Sequence, residues 1–393
     1  MIDKTQTKEM IAKLLKRRSL FTITPPPMLI QQEPPKPLYT KGAIVFDIDG
    51  VLLKGKTAIP EAIDTLKVLG GQNEMGKRIP FLLLTNGGGV SEEEKAKELS
   101  KTLDFPIMPE QVILSHTPMK ALVPEYKDKL IMVVGGKNRS CVRIAKMYGF
   151  TKVCTPNDVY NWNKAVWPFM DAPPQEELPS DPEDEANADY SKEKIHAVMI
   201  FHDPRDYGRD LQIVYDVLKS KDGILGNGYM DSGEQSVPLY CSNADLIWSN
   251  DFVSPRFGQG AFHVCLHGIW DKTSGNDQDK LEKRLFGKPF QVQYEFAEKC
   301  LDKLISSQAG DSEASTSAAD TDGVKRNVYA IGDNPLSDID GAHNYGWNSV
   351  LVRTGVYTEA TKHKYADSKP TQIVDNVGDA IKWILENEAA RED

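Results

Sequence analysis

Short apolar runs separated by helix-like patterns organise most of this chain. Seven of them are rich in β-branched residues and bounded by turns: "AIVFDI" (43–48), "PFLLLTN" (80–86), "LIMVVGG" (130–136), "HAVMIF" (196–201), "VPLYCS" (237–242), "NVYAIGD" (327–333) and "SVLVRTG" (349–355). Runs of this kind are strands of a parallel sheet, covered on both faces. The segments between them carry helix signals. "PEAIDTLKVLGG" (60–71) places Pro60 in a first turn and Gly70 at a C-cap. "SEEEKAKELSKTL" (91–103) opens with Ser91 and, three residues later, Glu94, which is a capping box. Strands alternating with helices predict an α/β fold on a doubly wound, mostly parallel sheet. Ligands in such sheets bind beyond the carboxyl ends of the strands.

Three segments interrupt the alternation. Residues 1–40 form an N-terminal extension in which "TPPPMLIQQEPPKP" (24–37) favours an extended spacer. Its start sets Lys4, Lys8, Lys13, Lys16, Arg17 and Arg18 against Met10, Ile11, Leu14 and Leu15, which suits a mitochondrial presequence; Asp3 and Glu9 suit a plain basic tail instead. Mitochondrial and cytoplasmic placements both stay open on this evidence. The stretch 172–193 is acidic and proline-containing with almost nothing to bury, and 306–323 is small and polar throughout. Both read as flexible inserts on compact domains.

A length of 393 residues suggests about two domains. The formal net charge of −10 argues against nonspecific binding to nucleic acid. No run approaches the roughly 18 apolar residues of a membrane span. The 5 cysteines are widely spaced and never form CxxC, which fits a reducing compartment and not a disulfide framework or a zinc ribbon.

Unusual residues fall at the predicted strand ends. The first run drives straight into Asp47 and Asp49, residue types that are poor in strands and rarely buried alone. Positions i and i+2 of an extended chain face one side, so both acids can address one point where a partner cation is expected. Gly50 allows a sharp turn there. The EF-hand spacing is absent. A second strand ends in Thr85 and Asn86, followed by Gly87, Gly88 and Gly89, whose N–H groups are free to approach an anion. "FGKPF" sets Lys288 before Pro289 and a helical pattern, so that its ammonium reaches back over the sheet edge. "AIGDNPLSDIDGA" (330–342) brings Asp333 to another strand end, beside Asp47, where a hard cation such as Mg²⁺ finds oxygen ligands. Asp338 either favours a helix dipole or, with Ser337, orients Lys288 or a metal-bound water.

In order, the motifs D-x-D-G, T-N, G-K-P and G-D-N-P-x-S-D resemble those of the haloacid dehalogenase (HAD) superfamily of phosphohydrolases, over roughly residues 42 to 385. The chain between the second and third motifs is similar to the α/β cap of the class IIA branch. The inserts and "VVGGKNRSCVRIAKMYGF" (133–150) resemble the eukaryotic, often mitochondrial, group related to the cat-eye-syndrome critical-region protein. The resemblance implies a core of residues 41–116 and 256–393 and a smaller α/β cap of residues 117–255 carrying the acidic insert. It implies that Asp47 attacks phosphorus to form an aspartyl-phosphate, and that Asp49 protonates the leaving alcohol and then deprotonates water. Thr85, Asn86, Gly87, Lys288 and Asp338 would serve the phosphoryl group; Asp47, the backbone carbonyl of Asp49, and Asp333 would hold Mg²⁺. The class usually carries asparagine or serine directly after T-N, so Gly87 leaves only a backbone amide at that position.

The implied activity is Mg²⁺-dependent hydrolysis of a small phosphorylated metabolite, with no nucleic-acid partner and room for a homodimer. Phosphotransfer to an acceptor alcohol is an enzymatic alternative. A catalytically idle scaffold is another, which the intact Asp47 and Asp49 disfavour. In the cap, His202, Asp203, Arg205, Asp206, Asn243 and Asp245 are candidates for substrate selection. His263 and His267 lack the H-E-x-x-H pattern and read as part of a buried helix returning to the core.

Overall fold

The computed structural model describes residues 36–169, 188–230, 234–248, 252, 254, 256–274, 280–309 and 326–392. The extension before residue 36, most of the acidic insert and most of the 306–323 insert lie outside the described residues. The edges of both inserts differ from expectation. Tyr190 is fully buried and meets the Trp162 ring edge-on, so the end of the acidic stretch belongs to a core. The helix Gln291–Ala309 runs through the first four residues of the other.

The chain lays down β1 (Gly42–Phe46), an antiparallel pair β2 (Leu53–Lys54) and β3 (Thr57–Ala58), then β4 (Phe81–Leu84) and β5 (Val112–Ile113). A second set follows: β6 (Ile131–Val134), β7 (Val153–Cys154), β8 (Ala197–Ile200), β9 (Leu239–Cys241), the antiparallel pair β10 (Ile247–Trp248) and β11 (Arg256–Phe257), and β12 (Arg284–Leu285). The chain closes with β13 (Asn327–Gly332), β14 (Asn348–Val352) and β15 (Gln372–Val374).

Two parallel sheets result, in the orders β15-β14-β13-β1-β4-β5 and β12-β9-β8-β6-β7. All seven expected runs become strands. The two- and three-residue strands at the sheet edges are too short to leave a periodic signal.

Continuous apolar runs follow from burial on both faces. In β1, Ile44 and Phe46 pack with Leu66 and Leu69 of the helix Pro60–Leu69 and with Leu99, while Ala43 and Val45 face Tyr294, Ala297 and Leu301 of the helix Gln291–Ala309. Burying side chains as large as Ile44 or Phe46 contributes about 1.5–3 kcal/mol each. The capping box forms as read, with Ser91 accepting from Glu94 N and Glu94 accepting from Ser91 N. Gly70 sits at the C-cap in a right-handed conformation, and the left-handed residue is Gly71 (φ +106°).

The second sheet is likewise covered on both faces. Met132, Val134, Val198 and Ile200 pack with Ile213, Val214 and Val217 on one side, and Ile131, Val133 and Met199 pack with Cys141, Val142 and Ile144 on the other. The helix Gln259–Thr273 differs from its expected place. Its Phe262, Leu266 and Trp270 pack in the cluster of the second sheet, and β12 then pairs with β9. The chain therefore returns to the first sheet only beyond Leu285, not at 256. The expected boundary failed because this helix is apolar enough to suit either core.

Candidate active site

The first sheet changes winding direction at β1: β4 and β5 lie on one side, and β13 to β15 on the other. Ligands in open α/β sheets bind at such switch points. Asp47 and Asp333 directly follow β1 and β13, which are paired neighbours, and Asp47 N donates to Ile331 O at 2.9 Å.

Oxygen atoms of Asp47, Asp333 and Asp338 all lie within 4.8 Å of one another. The ammonium of Lys288 stands 2.5 Å from Asp47 Oδ1 and 2.6 Å from Asp338 Oδ1, with both contacts shielded from water. Asp338 Oδ2 accepts from Asn334 N at 3.0 Å. Asp333 Oδ2 accepts from Val356 N at 2.6 Å, and its carbonyl accepts from Tyr357 N at 3.0 Å. The loop after β14 thus holds Asp333, a part of the site the sequence reading did not assign. Its only sequence signal was a strand ending in Thr354 and Gly355. Thr354 Oγ1 also donates to Gly50 O.

Three buried acids against one buried ammonium leave a surplus of negative charge. Burial lifts the Asp47 carboxyl well above its usual range; Lys288 opposes this, and Asp338, Asp333 and Asp49 add to it. Burial and Asp338 lift Asp333 to about 7, against the hydrogen bond from Val356 and the pull of Lys288. Burial alone would lower Lys288, but Asp338 and Asp47 outweigh it and keep the ammonium protonated. A surplus of carboxylates, all oxygen donors, fits a hard divalent cation.

Asp49 stands apart from the cluster. It lies in the turn after β1, where Gly50 takes φ +90° and a side chain at residue 50 would lie 2.6 Å from Asp333 Oδ2. Its carboxyl reaches solvent, yet the protein packed around it raises its pKa, with Lys95 and Lys288 opposing. The third side chain in the acidic cluster is therefore Asp338.

Thr85 and Gly87 act together: Thr85 Oγ1 accepts from Gly87 N at 2.9 Å, which leaves the hydroxyl proton to point elsewhere. The Gly87 N–H expected to face an anion is engaged locally. Asn86 also differs from its expected role. Its Oδ1 accepts from Lys288 N at 2.8 Å, and its Nδ2 donates to Lys288 O at 3.0 Å and to Asp245 Oδ2 at 2.9 Å. The side chain braces the lysine and does not project as a phosphate ligand. Gly287 permits this approach, since a Cβ there would lie 2.8 Å from Asn86 Oδ1 and 2.5 Å from Ser242 O. The helix after Lys288 begins at Gln291, so Pro289 lies in the preceding turn and not at the first helical position.

Among the other second-sheet candidates, Asp206 caps the helix Tyr207–Lys219 by accepting from Arg209 N, a structural task. His202 fills the space beside Gly89, and burial then Arg205 lower its pKa to about 4, so it is neutral at pH 7. Burial lifts Asp203. It also lifts Asp245 to about 6, against the Asn86 hydrogen bond and Lys288.

Two family models match this chain. The haloacid dehalogenase-like hydrolase model matches residues 44–151, and the HAD-hydrolase-like model matches residues 285–380. The chain is 39% identical over 370 residues to the mitochondrial hydrolase YKR070W of Saccharomyces cerevisiae, covering 89% of this chain and 97% of that protein. The chain belongs to the haloacid dehalogenase-like hydrolases. It is also 37% identical over 342 residues to a cardiolipin synthase (CMP-forming) / mitochondrial hydrolase fusion protein of Schizosaccharomyces pombe, spanning 86% of this chain and about half (52%) of the fusion. Glycerol phosphate phosphatase Rv1692 of Mycobacterium tuberculosis, solved with calcium, has the same fold: TM-score 0.54 at 18% identity, covering 86% of this chain and 73% of that one. As a HAD-family hydrolase, the chain has two of the family's sequence blocks, the first reaching into the second sheet through β6 and the second beginning at the last residue of β12. No helix among the described residues is long and apolar enough to cross a membrane.

Proposed function

We propose that this hydrolase is a Mg²⁺-dependent phosphatase of small phosphorylated metabolites, working through an aspartyl-phosphate on Asp47. The observation that carries the reading is the junction of Asp47, Asp333 and Asp338 with Lys288 at the switch point of the first sheet.

Asp47 and Asp333, with the backbone carbonyl of Asp49, would hold Mg²⁺, which would offset charge on the phosphoryl oxygens. Asp47, once ionised, attacks phosphorus, and the bond to the leaving oxygen breaks. Asp49 has solvent access, and its raised pKa favours the proton that it gives to the departing alcohol before it takes one from the attacking water. Lys288 binds phosphoryl oxygens as a fixed cation, with Asp338 holding its ammonium in place. The Thr85 hydroxyl donates to the same oxygens. At residues 86 and 87 the Asn86 side-chain amide and the Gly87 N–H have other partners, so neither is given a phosphoryl contact. The second sheet and its loops form the smaller cap domain that selects the leaving group.

The yeast relatives' names support a mitochondrial location. Phosphate release from a broad ester panel, with Mg²⁺ and with a chelator, tests the reading. Absence of Mg²⁺-dependent release across the panel would promote the scaffold alternative.

A further inference from the structure

Asn86 is held from two sides. Towards Lys288 it pairs with both backbone polar groups, and towards the second sheet its Nδ2 reaches Asp245 Oδ2. An amide nitrogen has two hydrogens to donate, and these contacts use both. Asp245 is fixed in turn. Its N–H donates to Asn243 Oδ1 at 2.7 Å, its carbonyl accepts from Gly260 N at 2.9 Å, and Asn243 Nδ2 donates to Asn86 O at 3.1 Å.

This ring of contacts meets a specific need. A lysine side chain has many rotamers to lose, and its head has no fixed geometry of its own. Lys288 must nonetheless stay between Asp47 and Asp338. Its main chain leaves β12 and Asp245 follows β9, two parallel neighbours of the second sheet, so both arrive from one edge. A partly buried carboxylate is a costly partner for a neutral amide. An ionised carboxylate accepts and never donates, so it admits one orientation of Asn86: Nδ2 towards Asp245 and Oδ1 towards Lys288 N.

We propose that Asp245 is a positioning residue for Lys288: through Asn86 it fixes the lysine backbone, and so the ammonium, at the site. The role assumes the phosphate-binding task given to Lys288 above, but the orientation itself can be tested without turnover.

In the full-length chain at pH 8, an amine-acylating reagent read by mass spectrometry reports the exposure of Lys288. Wild type and Asp245→Asn, which keeps the size and an acceptor, protect Lys288; Asp245→Ala raises its labelling several-fold. In aryl-phosphate kinetics, Asp245→Ala lowers kcat about tenfold with little change in KM, the signature of a displaced group. Asp245→Asn restores most of that loss. The double variant Asn86→Ala/Asp245→Ala is no slower than Asn86→Ala, because Asp245 acts only through Asn86. Unchanged Lys288 labelling in Asp245→Ala, or losses that add in the double variant, overturns the proposal. A wild-type chain without phosphatase activity removes the functional reading and leaves the labelling test standing.

Discussion

The side-chain amide of Asn86 grips the main chain of Lys288 at both polar groups, accepting from its N–H at 2.8 Å and donating to its C=O at 3.0 Å. The strand end of the first sheet thereby fixes a residue delivered by the second. Replacing Asn86 by Ala removes both bonds and leaves the lysine to wander. The expected result is a fall in kcat of about 10²-fold with the fold retained, since misplacement of a reacting group by about 1 Å costs that much. Steady-state kinetics beside circular dichroism checks it; Asn86→Asp, which cannot donate to Lys288 O, should be as slow.

Gly355 lies against the Asp333 carboxyl, where a Cβ would overlap Oδ2. Gly355→Ala is therefore expected to push Asp333 off its place in the acidic cluster. The Mg²⁺ concentration for half-maximal activity should rise at least about tenfold, in line with the loss caused by disturbing groups that orient a metal ligand. Thermal midpoint and activity at saturating Mg²⁺ should change far less. A Mg²⁺ titration of activity decides this.

Asp333 sets a pH dependence whose sign follows from its raised pKa. An unfolded aspartate titrates near ~4, whereas folded, metal-free Asp333 titrates at about 7. Between these values the folded chain keeps a proton that the unfolded chain releases, so this contribution to stability is full at low pH and lost as pH rises to about 7. Denaturation in chelator at pH 5 and pH 7.5 should show the loss. Mg²⁺ competes with that proton and should restore stability at the higher pH. Asp333→Asn should flatten the slope and remove the Mg²⁺ effect.

Much of this site was legible because its chemistry sits in short motifs at strand ends. The apolar runs ending in Asp47, Thr85 and Asp333 gave both the parallel sheet and the edge where ligands meet it. Lys288 was legible from its glycine and proline neighbours. What stayed hidden depends on long-range pairing. Asn86 and Thr85 look alike as polar residues after a strand, and only the packing of β12 against β9 shows that Asn86 faces the lysine backbone. The support of Asp333 by Val356 and Tyr357 is made by backbone N–H groups, which leave no trace in residue identity. The helix Gln259–Thr273 was assigned to the wrong layer because an apolar face does not name the face it will meet.

The most direct test of the account is to trap the phosphoryl group on Asp47. Asp49→Asn, which lacks the group that deprotonates water, is mixed with Mg²⁺ and an aryl phosphate, quenched in acid, and digested for mass spectrometry. The predicted result is one phosphoryl group on the peptide carrying Asp47, and none when Asp47 is also Asn; Asp47→Asn alone should lower phosphate release by about 10⁴-fold or more, as loss of a nucleophile does. Undiminished phosphate release from Asp47→Asn, or a phosphoryl group found on another residue, would contradict it.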